Sequence, residues 1–82
     1  MTPAQCRAAR ALLEMTVVEL AHAAEVPVAV IVDYETSLGF APKGEHLDAI
    51  RSALEEAGIE FAKGDRSGVR LQRSKRGGGD AD

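Results

Sequence analysis

Eighty-two residues, 45% of them hydrophobic and 28% charged, fit one folded domain; chains split into separate cores well above this length, and disordered chains carry less apolar surface. The net charge of −3 hides an asymmetry: residues 1–62 carry four basic against ten acidic side chains, a balance of −6, and residues 63–82 carry six against three, a balance of +3. One cysteine rules out an internal disulfide and a cysteine-based zinc site, which points to a reducing, cytoplasmic setting. No apolar run nears the roughly 20 residues that cross a bilayer and no charged-then-apolar leader opens the chain, so no membrane partner is expected. With Tyr34, Phe40 and Phe61 the only aromatics, the core must come from Leu, Ile, Val and Ala, and the length favours binding over a catalytic cleft.

The chain opens with Thr2-Pro3-Ala4-Gln5, where a Thr cap, a Pro at the first helical position and a Gln three residues on form a capping box. A helix over about residues 3–14 follows, with Cys6, Ala9 and Leu13 on one face and Leu12 beside them. Thr16-Val17-Val18-Glu19 is a second box, and Leu20, Ala21 and Ala24 carry an apolar stripe through a short helix at 17–24. Pro27 has a helical φ and lacks an N–H, so it begins a third helix over 27–36; by composition alone Val28 to Val32 could equally be a buried strand, and the flanking helices decide for helix. Residues 37–44 read as loop. Glu45 to Ala57 is the clearest helix, with Leu47, Ile50, Leu54 and Ala57 in phase and Gly58 as its stop. Ile59-Glu60-Phe61 and Val69-Arg70-Leu71 alternate as strands around a turn-rich Lys63–Gly68 segment, which makes a small β-hairpin that covers Leu47 and Leu54. From Arg73 onward nothing is available to bury, and a disordered tail is expected. The expected division is therefore residues 1–58, a hairpin at 59–72 and a tail at 73–82, mainly α throughout.

Catalytic and metal signatures are missing. His22 and His46 have neither a Cys neighbour nor an i+4 His, and there is no G-x-x-x-x-G-K run, nucleophile elbow or H-E-x-x-H. Gly77 to Gly79 follows no strand and opens no helix, so it is no phosphate cradle. Cys6, on an apolar helix face, is expected to be a buried inert thiol, and Glu35 to hold its helix to its neighbours. No enzyme activity, cofactor or metal is expected.

Two short helices joined by a tight turn, preceded by one helix and followed by a loop and another, make a helix-turn-helix. At Leu13, Thr16, Glu19, Leu20, Ala21, Ala24 and Val26, then Ile31, Tyr34, Glu35 and Pro42, then Leu47, Ile50, Ala53 and Leu54, the sequence resembles the Xre-type, lambda-repressor-like domains. The resemblance covers about residues 9–57, roughly two-thirds of the chain, and the Gly-Ile-Glu-Phe…Gly-Val-Arg-Leu hairpin resembles an extension on compact members. It implies a four-helix lambda-repressor-like fold and a dimeric, cytoplasmic, DNA-binding transcriptional regulator acting as a repressor.

The positions that touch DNA in that family fall here on Val17, where a phosphate-contacting Gln is usual, and on Pro27, Val28, Ala29 and Val30, where a Ser cap and polar base readers are usual. Thr36, Ser37 and Lys43 remain for duplex contact, with Arg7 or Arg10 as additions, and Glu25 stands where the turn usually carries Gly. Each missing phosphate contact removes about one unit of salt slope and each missing bidentate base contact about 1–3 kcal/mol of discrimination. Two rescues are open: a homodimer, paired through the free edge of the hairpin, that doubles the contacts, or help from Arg66, Arg70, Arg73, Lys75 and Arg76. The alternative is a helix-turn-helix that docks its apolar recognition helix on another protein, as an antagonist or adaptor of a regulator.

Overall fold

The computed structural model describes residues 1–36, 42–62 and 68–72. Those residues form four helices and one small antiparallel sheet: α1 Pro3–Leu13, α2 Val17–Ala24, α3 Val28–Thr36, α4 Gly44–Glu56, β1 Ile59–Phe61 and β2 Val69–Leu71. Both capping boxes close as the sequence demands. Gln5 N–H donates to Thr2 Oγ1 at 3.1 Å while Thr2 N–H donates to Gln5 Oε1 at 2.8 Å. Glu19 N–H donates to Thr16 Oγ1 at 3.0 Å while Thr16 N–H donates to Glu19 Oε1 at 2.8 Å. Four N-terminal donors without partners inside their helices are thereby satisfied.

Val28 to Val32 is helical, which closes the strand alternative. Pro27 lies just before α3 rather than inside it: its carbonyl accepts from Val30 N–H at 3.0 Å. The β-branched run is accommodated because only part of it is asked to face inward. Ile31 is fully buried and Val30 half-buried, whereas Val28 and Val32 keep 38% and 39% of their surface in solvent. Leu12 and Ala57, expected on inward faces, are exposed: Leu12 points away from the side on which Leu13 packs on the core, and Ala57 lies just past the end of α4.

The core joins all the elements. Leu20, Ile31, Ile50, Leu54 and Cys6 are its largest fully enclosed side chains, with Ala9, Ala21, Ala24, Val26, Tyr34 and Ile59 completing it. α2 packs on both α3 and α4, and α1 packs on α3. The hairpin pairs Ile59 with Leu71, Glu60 with Arg70 and Phe61 with Val69. It covers more than expected: β1 packs on α4, and β2 packs on α1. Gly58 turns the chain from α4 into β1 at φ +110, a backbone conformation that favours glycine, and a Cβ there would also press on Leu71 Cδ1 at 3.2 Å. The turn of the hairpin at 63–67, the loop at 37–41 with Phe40, and the tail at 73–82 lie outside the described residues.

The connection from α2 to α3 ends α2 with a left-handed residue. Glu25 has φ 59 and ψ 45, its N–H donates to His22 O, and Val26 N–H donates to Ala21 O at 3.0 Å. Glycine is the residue at ease in this conformation, and a carboxylate at a helix C-terminus also opposes the helix dipole. Glu25→Gly is therefore expected to stabilise the fold by about 0.5–1 kcal/mol, read as a raised urea midpoint at unchanged slope.

Candidate functional site

The α2–α3 pair presents the outer face on which the sequence placed most of its candidate residues, and a buried polar cluster fixes α3 from behind. Glu35, only 6% exposed, sits at the inner end of α3. Its Oε1 accepts from Arg10 Nη2 at 2.6 Å, and its Oε2 accepts from Arg10 Nε at 2.8 Å and from the Cys6 thiol at 3.1 Å. Arg7 donates to the Glu35 carbonyl, and Arg10 also donates to the Met15 carbonyl at 3.0 Å. The fork-on-carboxylate arrangement is the strong form of this pairing. Burial pushes the Glu35 carboxyl upward, but the hydrogen bonds from Arg10 and Cys6 and the charges of Arg10 and Arg7 outweigh it and hold the group below its ordinary value. Burial, with donation to Glu35, pushes the Cys6 thiol up to about 12, so it stays protonated and unreactive. The Arg10 guanidinium is raised by its hydrogen bonds to Glu35.

Of the two additional basic candidates, Arg10 is held by the Glu35 carboxylate, whereas Arg7 donates to the Glu35 carbonyl and remains exposed. Glu35 holds α3 to α1, and Tyr34 adds a second tie by donating its hydroxyl to the Met1 carbonyl at 2.9 Å.

On the outer side, Pro27, Val28 and Ala29 are exposed together at the head of α3. Val32, Asp33 and Thr36 continue that face toward its far end, about 12 Å away at the helical rise. Thr36 Oγ1 donates back to the Asp33 carbonyl at 3.2 Å. Two of the candidates are partly withdrawn: Val17 and Val30 are half-buried and pack on the core. Lys43 is exposed just ahead of α4, its carbonyl accepting from His46 and Leu47 N–H. Ser37 lies outside the described residues.

The electrostatics of this face follow directly from the chain. Thr16 to Thr36 contains no Lys or Arg, while Glu19, Glu25 and Asp33 stand exposed on it. Elsewhere Arg51 donates to Glu55 at 3.0 Å and lies over the Phe61 ring, and Arg70 donates to Glu60 at 2.5 Å. These are solvent-exposed pairs of small energetic value.

Sequence reasoning missed one feature. Val18, Ala21, His22, Glu25, Val26, Pro27 and Val28 line an open groove of about 510 Å³ along the outer side of α2 and its turn into α3. Val18, at 59%, is the most exposed large hydrophobic among the described residues. The available signal was Val18 and His22 at i, i+4 on the face of α2 opposite Leu20 and Ala24. Among the described residues no group of three or more His, Cys, Asp or Glu side chains could hold a metal ion, and no helix is long and apolar enough to cross a membrane.

No protein-family model matches the chain, and no curated protein is found to be similar to it.

Proposed function

We propose that this chain is a helix-turn-helix regulator of the Xre type that binds duplex DNA as a homodimer and acts as a repressor, with α3 as the recognition helix. The observation that supports this reading is the pairing of α2 and α3 across Glu25–Pro27. It leaves the head of α3 open to solvent, while Ile31, Tyr34 and Glu35 anchor the helix from the opposite side. A short helix presented this way has the dimensions of a major-groove reader. Its chemistry is apolar: the methyl groups of Val28 and Ala29 suit thymine C5-methyls, while Thr36 and Lys43 supply the polar contacts to phosphate. A two-fold pair would double that modest set of contacts across two half-sites.

The test is a gel-shift titration against genomic fragments between 50 and 200 mM salt. A saturable, salt-sensitive shift is expected, and Val28→Arg should tighten it about tenfold by adding a bidentate or phosphate contact. No saturable shift even at the lowest salt would overturn duplex binding. It would leave the reading that the exposed valines of α3, beside Glu25 and Asp33, meet a protein, as an antagonist of another regulator.

A further inference from the structure

We infer that the groove on the outer side of α2 is a docking site for a cationic amphipathic helix of a partner protein. The inference does not rest on duplex binding by α3: Pro27 and Val28 border both faces, and the two readings are told apart by Val18 and His22, which lie on α2. Val18 and Val28 form two exposed apolar walls, with Ala21, Val26 and Pro27 as an apolar floor between them and His22 and Glu25 at the rim. An apolar trough about two turns of helix long fits the i, i+3/i+4 anchors of an amphipathic helix laid into it.

Charge selects the occupant. The segment from Thr16 to Thr36 has no Lys or Arg and exposes Glu19, Glu25 and Asp33, with Glu25 on the groove itself. Lys or Arg flanking the apolar anchors of a partner would meet Glu25 at the groove, where no lining residue is basic. With Glu25 at its rim and no Lys or Arg among its lining residues, the groove itself offers phosphate no partner, so a nucleic acid strand or an anionic membrane surface is a poor occupant of it. With only His22 and Glu25 polar in an open trough, nothing converges on a small ligand. A second copy of this chain would bring the same acidic segment against itself.

The test uses the full chain labelled with ¹⁵N and a 15-residue helical peptide with Leu at i, i+3, i+4 and i+7 and Lys elsewhere, beside a control peptide with Glu for Lys. Saturable shifts centred on Val18, His22, Glu25, Val26 and Val28 are expected with the Lys peptide and none with the control. Val18→Lys, at an already exposed position, should weaken binding about tenfold or more without lowering the thermal midpoint. Three results would overturn the inference. Shifts could spread over every acidic surface, including Glu55 and Glu56, and survive Val18→Lys. The groove resonances could move with protein concentration alone, which assigns the groove to a second copy. Or a DNA fragment could perturb Val18 and His22 as strongly as α3, which makes the groove part of a nucleic-acid face.

Discussion

Glu35→Ala is expected to cost about 2–3 kcal/mol of stability, the largest loss at any polar side chain described here. The substitution removes the acceptor of two Arg10 donors and of the Cys6 thiol at once. Breaking a fully buried pair from one side costs about 3–5 kcal/mol; Arg10 keeps 21% of its side chain in water and can rehydrate in part, which brings the figure down. Glu35→Gln keeps the size and one acceptor and should lose less. The two states also differ in pH dependence. The folded carboxyl titrates below the ordinary value of 4.5, so its stabilisation is complete above that value and is lost as pH falls through the lower, folded one. Urea denaturation from pH 7 down to pH 3 should therefore show the gap between the native chain and Glu35→Gln narrowing with acid. Parallel curves would mean that the ion pair contributes nothing as a charge.

Ile31→Ala should be equally damaging for a different reason. Ile31 is fully buried among residues of the α2–α3–α4 core, and truncation of such a side chain costs about 2–5 kcal/mol through lost transfer energy and the cavity left behind. Against a total of about 5–15 kcal/mol for a domain, that removes a large part of the margin. Val28→Ala and Val32→Ala, on the same helix but well exposed, should each cost less than about 1 kcal/mol. The contrast within one five-residue apolar run is read from urea midpoints. Equal losses at all three positions would show that α3 is packed on both sides.

That run marks where the sequence was and was not legible. Helix boundaries came through within a residue or two because their signals are local: Thr2 with Gln5, Thr16 with Glu19, Pro27 and Gly58 each satisfy or break a backbone pattern within a few residues. The strands were equally local, as short alternating segments on either side of a turn. What could not be read locally is how a uniformly apolar stretch divides between core and solvent. Val28, Ile31 and Val32 differ little in character, and only the positions of α1 and α2 decide which is covered. The sequence points to Glu35 as an anchor but not to its partners: Cys6 and Arg10 stand 29 and 25 residues away, and nothing in its own surroundings predicts that Arg10 turns toward Glu35. The groove was missed because Val18 lies where an amphipathic pattern expects a polar residue, and such a departure declares itself only once the helix is seen without a neighbour on that side.

The packing of β2 against α1 has a consequence for how the protein is made. The first helix leaves the ribosome long before its partner strand exists, and Gln5 Nε2 reaches the Gly68 carbonyl, at 3.5 Å, from 63 positions away in the chain. Translation at about 5–20 residues per second and a tunnel that shelters the newest segment mean that α1 to α4 emerge as an unfinished bundle with the underside of α1 uncovered. The fold around α1 is thus complete only once β2 has been made and has docked on it.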